Sequence, residues 1–291
     1  MSAPQVEKKT IKQIKNDALQ LSKALAVPTF WLTDWLLYVI DKPALSLLTE
    51  ENYPLTDSEL AQFNAGIEQM QQGTPLAYLT GSQAFWSLDF RVNKHTLIPR
   101  PDTEILVEQA LDWIKAQAPD NSPKRLLDLG TGTGCIAISL AHELKPSNWQ
   151  VVAVDLSTEA LKVARHNAAA NNTTVEFIKS SWYEQLSREA DKRFDIIVSN
   201  PPYIDESDKH LQGLKAEPIS ALSAANKGLA DIEHIVEQAP NYLQGAGLLA
   251  IEHGFEQGAA VRDLFNKAGF ESVATVQDYG GNDRVTLGQL S

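Results

Sequence analysis

The 291-residue chain contains 43% hydrophobic and 21% charged residues, the balance of an ordinary globular protein of about two domains. Its 25 basic and 37 acidic residues give a net charge of −12, which argues against a protein that lies along a nucleic-acid backbone. A single cysteine, Cys135, excludes a disulfide framework, and we find neither a signal peptide nor an apolar run of membrane length, so we expect a cytoplasmic protein without a membrane span.

The N-terminal region is predicted to be helical. The apolar residues on one face of the first helix are Ile11, Ile14, Ala18, Leu21 and Leu25. A second helix is predicted from Thr29 to Ile40, where Trp31 and Trp35 share a face, either as core residues or as a surface for a partner. A third helix is expected to begin near Thr56, which has capping-box spacing with Glu59.

A short linker is predicted after these helices. The segments Phe85–Phe90 and Arg91–Leu97 are interpreted as the two strands of a hairpin. A helix then opens within residues 98–104, where prolines precede acidic residues, and runs to about Gln117. The predicted organisation is a helical N-terminal domain at 1–83, a hairpin linker at 84–98 and a C-terminal domain at 99–291.

From Arg125 onward, strand patterns and helix patterns alternate. The predicted strands are Arg125–Leu129, Gln150–Val154, Val175–Ile178, Asp195–Ser199, Gly247–Glu252, Glu271–Thr275 and Arg284–Leu287. The predicted helices are Cys135–Glu143, Thr158–Asn171, Gly228–Tyr242 and Gln257–Ala268. The alternation predicts a Rossmann-like α/β domain with a doubly wound, seven-stranded, mostly parallel sheet, beside a small all-α N-terminal domain.

The first of these strands runs into a glycine-rich turn that opens a helix. The turn consists of Gly130, Thr131, Gly132, Thr133 and Gly134. Such a turn brings backbone N–H groups at the helix start close to a ligand, and Asp155, at the end of the next strand, can accept the hydroxyls of an adenosine ribose. The dinucleotide fingerprint Gly-x-Gly-x-x-Gly is not met, because residue 135 is cysteine. The turn resembles the first motif of class I S-adenosyl-L-methionine-dependent methyltransferases, so we expect that cofactor rather than NAD; the alternative is a plain strand–helix turn.

An aromatic residue follows the third strand of the pattern. Trp182 can offer its ring to the adenine face, or it can pack at the edge of the core.

The most informative motif follows the fourth strand, and it consists of Asn200, Pro201, Pro202 and Tyr203. Ligands in open α/β sheets bind at this end of the strands. An amide or aromatic amino nitrogen is a poor nucleophile, because its lone pair is delocalised. The Asn200 side-chain oxygen and the Pro201 carbonyl can accept the two N–H bonds of such a group, while Tyr203 packs on its plane. The motif predicts methyl transfer to a planar nitrogen; the alternative is a turn that only closes the strand.

These motifs make the chain similar to the peptide chain release factor glutamine methyltransferases, also called the HemK/PrmC family. The matching segments lie at 74–81, 97–104, 130–134, 155, 200–203, 217–218, 228–230, 252–254 and 278–285. The resemblance implies a helical domain that docks the release factor. It also implies methylation of the glutamine amide in the Gly-Gly-Gln loop of bacterial class 1 release factors, with S-adenosylmethionine as the methyl donor.

The resemblance also assigns roles by position. The cofactor contacts would be the glycine loop from Gly130 to Gly134, Asp155, Trp182 and Asn200. The substrate amide would lie against the segment from Asn200 to Tyr203, with Asn200 and Tyr203 as catalytic residues. Ser181 departs from the family pattern, which leads us to expect an acidic residue before the aromatic.

Three other interpretations stay open. Relatives that methylate a ribosomal-protein glutamine share most of these motifs. A DNA adenine N6-methyltransferase would need base flipping and a basic groove, which the net charge of −12 argues against. A cofactor-binding module without activity is the third. No histidine pair has the spacing of a metal site, so we expect no metal. The net charge leads us to expect no direct nucleic-acid partner. We also expect a monomer.

Overall fold

The computed structural model describes residues 9–117, 122–145 and 147–291, and the chain divides between Gly81 and Ser82 into two compact units. The first unit contains the helices α1 (Ile11–Leu25), α2 (Thr29–Ile40), α3 (Ser46–Thr49), α4 (Asp57–Gln71) and α5 (Leu76–Thr80). The three helices predicted here are confirmed as α1, α2 and α4. The capping box is confirmed too: Thr56 accepts from the Glu59 backbone N–H, and the Glu59 side chain accepts from the Thr56 backbone N–H.

Trp35 lies in the core of the first unit. Its side chain is buried, and its indole N–H donates to the Phe63 carbonyl at 3.0 Å. The ring lies against Gly66 of α4, where a Cβ atom would be 2.2 Å from it. Trp31, which is half-buried, packs against the same apolar cluster. Of the two interpretations of this pair, core packing therefore holds for Trp35.

The second unit is an α/β fold. Its strands are β1 (Ser82–Phe85), β2 (Leu88–Arg91), β3 (Lys124–Leu129), β4 (Trp149–Asp155), β5 (Glu176–Lys179), β6 (Phe194–Ser199), β7 (Ile204–Asp205), β8 (Ser223–Ala224), β9 (Leu243–Glu252), β10 (Phe270–Gln277) and β11 (Asp283–Leu290). Its helices are α6 (Glu104–Ala116), α7 (Cys135–Glu143), α8 (Thr158–Ala170), α9 (Ala225–Gly228), α10 (Ala230–Gln238) and α11 (Gly258–Lys267). Within the described ranges, no helix is long and apolar enough to cross a membrane.

Seven of these strands form one sheet in the order β10-β11-β9-β6-β3-β4-β5. β11 runs antiparallel to both of its neighbours, and the other pairs are parallel. All seven predicted strands are confirmed, and so is the mostly parallel arrangement. The α/β class follows from the same alternation of strands and helices.

Both faces of this sheet are covered by helices. Neighbouring residues of β3 point to opposite faces, so Leu126 joins the cluster under α6, α7 and α8, whereas Leu127 joins the cluster under α10 and α11. Because both faces are filled with apolar side chains, the loops at the carboxyl edge of the strands are the part of the sheet open to a ligand.

The hairpin strands were placed wrongly from the sequence. The strands are Ser82–Phe85 and Leu88–Arg91, and no strand lies at residues 92–97. The chain reverses at Trp86 and Ser87, whose φ angles are 50° and 59°. A two-residue turn needs positive φ at both positions, which asparagine and glycine usually signal, and neither is present here.

The helix predicted over Gly228–Tyr242 is also shorter than expected. α10 covers only Ala230–Gln238, because Gly228 has φ +79° and a short 3-10 turn that contains Pro240 follows the helix. Gly228 is therefore the last residue of the short α9 and lies in the connection before α10.

Candidate active site

Two loops meet at the point where the strand order of the sheet changes direction. β3 and β6 are parallel neighbours, and their last residues, Leu129 and Ser199, are paired. The Ser199 hydroxyl also donates to the Leu129 carbonyl at 2.8 Å. The glycine loop and the Asn-Pro-Pro-Tyr loop thus leave the same edge side by side, at the switch point where open α/β sheets bind ligands.

A cavity of about 630 Å³ lies between these loops, within the range of about 300–1,000 Å³ that is usual for small-molecule sites. The predicted site residues that line it are Gly130, Thr131, Gly132, Thr133, Asp155, Trp182, Asn200 and Pro202. Three predicted residues, Gly134, Pro201 and Tyr203, do not line it. Gly134 instead precedes α7 as its N-terminal cap residue. One cavity thus brings together most of the residues that the sequence singled out.

The glycine loop is tied to the carboxylate at the end of β4. The Gly132 backbone N–H donates to Asp155 Oδ2 at 2.8 Å, and the Ser157 N–H donates to Oδ1 at 2.7 Å. Burial raises the pKa of Asp155, while these two hydrogen bonds lower it. The carboxylate is held in one orientation at the cavity wall, which suits a group that must accept hydroxyls.

A second buried carboxyl holds the start of the same loop. The Thr131 hydroxyl donates to Asp128 Oδ2 at 2.6 Å, and burial raises the pKa of Asp128 to about 7. Asp128 is fully buried and does not line the cavity. It therefore fixes the loop from below and does not meet a ligand.

Trp182 forms one wall of the cavity. Gly130 has φ +73°, and a Cβ atom there would lie 3.2 Å from the Trp182 ring. Asp231 of α10 and Ser181 line the same cavity. Burial raises the pKa of Asp231, and the smaller effect of a hydrogen bond with the Trp182 side chain lowers it, so the net shift is upward. An acidic residue is thus present on this wall, although the sequence places serine at position 181.

Cys135 also lines the cavity but is not suited to nucleophilic chemistry. Burial raises the pKa of its thiol to about 12, so the thiolate is scarce at neutral pH. Across the described part of the chain, no group of three or more histidine, cysteine, aspartate or glutamate side chains could hold a metal ion.

The side chain of Asn200 has a defined orientation. Its Nδ2 donates to the Thr103 hydroxyl at 3.1 Å, and Thr103 itself is buried at the cavity wall. Because the –NH₂ group is engaged by Thr103, the carbonyl Oδ1 is the end of this amide that is left to meet a ligand.

Tyr203 is anchored behind the loop. Its hydroxyl donates to Glu252 Oε1 at 3.2 Å, and burial raises the pKa of the Tyr203 hydroxyl. Its carbonyl accepts from Gln257 Nε2 at 3.0 Å, and the same Nε2 donates to the Lys227 carbonyl at 3.0 Å. A Cβ atom at Gly228 would lie 2.0 Å from the Tyr203 carbonyl oxygen, so only glycine fits there.

Four residues that hold this loop received no role from sequence reasoning: Thr103, Gly228, Glu252 and Gln257. The signal was present for the first three, which lie in the segments 97–104, 228–230 and 252–254. A motif alone does not say which loop a residue will contact.

The cavity has a charged rim. Arg100 donates to Glu217 Oε1 at 2.5 Å, and the Ile98 backbone N–H donates to the other oxygen at 3.0 Å. Arg100 lines the cavity together with Pro218. Glu217 thus ties the segment before α6 to the segment after the Asn-Pro-Pro-Tyr loop.

Two family models match the chain. The methyltransferase small domain matches residues 111–279, and the PrmC N-terminal domain matches residues 20–81. A methyltransferase structure from Pyrococcus furiosus has the same fold, with a TM-score of 0.51 and 20% identity over 71% of this chain and 90% of that one. The fold and the matched domain therefore define a methyltransferase.

Curated relatives identify the family within the methyltransferases. The release factor glutamine methyltransferase of Pasteurella multocida is 47% identical over 86% of this chain and 87% of its own length. That of Escherichia coli K12 is 49% identical over 81% of this chain and 82% of its own length. The chain belongs to the release factor glutamine methyltransferase family, and it is a methyltransferase.

Proposed function

We propose that this enzyme transfers a methyl group from S-adenosylmethionine to the side-chain amide nitrogen of the glutamine in the Gly-Gly-Gln loop of class 1 peptide chain release factors. The names of the relatives support a release factor as the substrate. The observation that carries the amide chemistry is the orientation of Asn200, whose Nδ2 donates to Thr103 at 3.1 Å and whose Oδ1 is left for an –NH₂ group.

The residues that line the cavity support S-adenosylmethionine as the cofactor. The Asp155 carboxylate would accept the ribose hydroxyls, the Trp182 ring would lie against the adenine, and the backbone of the loop from Gly130 to Gly134 would approach the rest of the molecule. The absence of a side chain at Gly130 keeps this wall open beside Trp182. When bound, S-adenosylmethionine supplies an electrophilic methyl group on a sulfonium.

The Asn-Pro-Pro-Tyr loop would align the substrate amide. Asn200 Oδ1 and the Pro201 carbonyl would accept its two N–H bonds, and these hydrogen bonds strengthen as positive charge develops on nitrogen. The prolines, together with the anchors on Tyr203, keep the acceptors in place before the substrate arrives. No strong general base is required, since the nitrogen loses its proton readily once it carries the methyl group.

Recognition of the release factor is assigned to the helical N-terminal domain, residues 1–83, which is joined through residues 84–98 to the methyltransferase domain at 99–291. We assign no direct nucleic-acid contact to the enzyme, in line with its net charge of −12, and we take the monomer as its working state.

The test is transfer of radiolabelled methyl from S-adenosylmethionine to a purified class 1 release factor. We expect label on the natural factor and none when alanine replaces the glutamine of its Gly-Gly-Gln loop. Duplex DNA and ribosomal protein serve as competing acceptors. Label on either of these, with none on the factor, would overturn the substrate assignment and leave the enzyme class standing.

A further inference from the structure

The side chain of Asn167, in the last turn of α8, is buried and hydrogen-bonded at both ends of its amide. It is 1% exposed, although asparagine side chains mostly lie at the surface. Its Oδ1 accepts from the Arg91 backbone N–H at 2.8 Å, and its Nδ2 donates to the Arg91 carbonyl at 3.1 Å and to the Thr133 carbonyl at 2.9 Å. One amide therefore joins the end of β2 to the glycine loop.

These contacts allow only one orientation of the amide. In the exchanged orientation its oxygen would face two carbonyl oxygens and its –NH₂ group would face the Arg91 N–H, so all three hydrogen bonds would be lost. The two bonds to Arg91 pair its N–H and its carbonyl, as a neighbouring strand would. α8 thus holds the last residue of β2 through one side chain.

The β1–β2 hairpin has further anchors besides Asn167. Phe85 and Phe90 are buried in the cluster under α6, α7 and α8. Asn171, one turn beyond Asn167, donates through Nδ2 to the Asp89 carbonyl at 3.0 Å. Asn171 thus holds the hairpin, whereas Asn167 holds the hairpin and the glycine loop together.

The two parts of the chain that Asn167 joins both lead to the wall of the cavity. Thr133 lines the cavity, and so do six of the residues from Lys94 to Arg100, in the segment that follows β2. Glu217 holds the far end of that segment, where its side chain accepts from the Ile98 N–H at 3.0 Å. Asn167 holds the near end at Arg91, so its amide sets the spacing between this segment and the glycine loop.

We propose that Asn167 is a positioning residue for the cofactor, and that its amide couples the β1–β2 hairpin to occupancy of the cavity. The proposal rests on the proposed binding of S-adenosylmethionine in this cavity. In the described structure, neither Asn167 nor any residue of β2 lines the cavity, so Asn167 acts through the backbone of Thr133 and Arg91. Coupling is reciprocal: a fixed hairpin favours binding of the cofactor, and bound cofactor makes the hairpin harder to displace.

Asn167→Asp tests this role with little change of shape. The new carboxylate can still accept from the Arg91 N–H, but it sets an oxygen against two carbonyl oxygens that have lost their donor. We expect the Kd for S-adenosylmethionine, measured by calorimetry, to rise about 10–100-fold. The single-turnover rate of methyl transfer at saturating cofactor should stay within about threefold of wild type, because the Asn-Pro-Pro-Tyr loop is untouched.

Three further variants complete this comparison. Asn167→Ala removes the same bonds without adding charge; it should raise the Kd about 3–10-fold, and it carries the test if the aspartate variant does not fold. Asn266→Asp makes the same change on an exposed residue in the last turn of α11 and should leave the Kd unchanged. Asn171→Ala loosens the hairpin at Asp89 and keeps the bond to Thr133, so its Kd should stay within about threefold of wild type.

Hydrogen exchange of backbone amides separates coupling from a general loss of stability. In the wild type, we expect saturating S-adenosylmethionine to slow exchange in β2, outside the cavity, by about fivefold or more. In both Asn167 variants this slowing should disappear from β2 and persist in residues 130–135. A wild-type Kd in both Asn167 variants, an equal rise in Asn171→Ala, or slowing in β2 that is absent from wild type or retained in the variants would overturn the proposal.

The same measurements on wild type keep this result separate from the proposed function. A wild-type enzyme that does not bind S-adenosylmethionine overturns the proposed cofactor, and the role of Asn167 with it. A wild-type enzyme that binds the cofactor but does not label the release factor overturns the substrate assignment alone. When the wild type binds and labels as expected, the Asn167 variants test the positioning role by itself; thermal unfolding of each variant confirms that it is folded.

Discussion

The loop after β3 and the loop after β6 leave the same edge of the sheet, yet different parts of the chain hold them. The glycine loop is tied to Asp128, three residues from Thr131, and to Asp155, 23 residues from Gly132. The Asn-Pro-Pro-Tyr loop is tied to Thr103, 97 residues from Asn200, and to Gln257, 54 residues from Tyr203. The glycine loop is therefore a local unit, whereas the Asn-Pro-Pro-Tyr loop depends on assembly of the whole domain.

This difference separates two kinds of variant. Changes at remote anchors should disturb the alignment of the substrate amide and leave cofactor affinity intact. Changes close to the glycine loop should weaken cofactor binding and leave the alignment of the amide intact.

The largest effect is expected for Gly228→Ala. The new Cβ atom would lie 2.0 Å from the Tyr203 carbonyl oxygen, and φ is +79°, so the backbone must move. We expect a loss of about 2–4 kcal/mol in the free energy of unfolding, together with slower methyl transfer. Gly245→Ala is the matched control, because nothing lies within 4 Å of its Cβ position. Equal stability of the two variants in urea unfolding would show that the Asn-Pro-Pro-Tyr loop does not depend on the close approach of Gly228 to Tyr203.

A smaller effect, on cofactor affinity and not on the rate of methyl transfer, is expected for Asp155→Asn. The amide cannot accept from both the Gly132 and Ser157 N–H groups, and it loses the charge that favours ribose hydroxyls. The Kd for S-adenosylmethionine should increase by about 10–100-fold, as is typical of a charged hydrogen-bond acceptor. The rate at saturating cofactor should change little, and calorimetry with the exposed Asp263→Asn as control checks this. A lower rate of methyl transfer without a weaker affinity for the cofactor would contradict the separate roles proposed for the two loops.

The smallest effect is expected for Gln257→Ala. The variant loses the hydrogen bonds to the Tyr203 and Lys227 carbonyls, at 3.0 Å each, and the one from the Gly254 N–H at 2.8 Å. We expect about a tenfold lower transfer rate, equivalent to about 1.4 kcal/mol, with an unchanged Kd for the cofactor. Gln277→Ala, on an exposed strand residue, serves as the control. A weaker affinity for the cofactor in Gln257→Ala would contradict the account.

The same contrast explains what the sequence could predict. The seven strands and the grouping of the glycine loop, Asp155 and Asn200 at one edge follow from local periodicity and from the rule for strand ends, and the structure confirms that arrangement. The anchors Thr103, Glu252 and Gln257 act across 49 to 97 residues of sequence, where no local pattern shows which loop a side chain will reach.

The sequence pattern also gave wrong strand bounds at a turn where residues that rarely adopt positive φ do so. Trp86 and Ser87 form the hairpin turn with φ of 50° and 59°, although neither is a usual turn residue there, so the strands were placed too late in the chain. The two-residue strands β7 and β8, which fix the chain just after Tyr203, are too short to give a pattern.

We infer that the Asn-Pro-Pro-Tyr loop aligns the substrate amide, while the glycine loop and Asp155 bind the cofactor. The most direct test measures the Kd for S-adenosylmethionine and the single-turnover rate of methyl transfer to the release factor for Asn200→Ala, with the exposed Asn241→Ala as control. We predict a Kd within about threefold of wild type and a rate at least about 100-fold lower, with both values unchanged in the control. A rate close to that of wild type, or a loss confined to cofactor affinity, would contradict it.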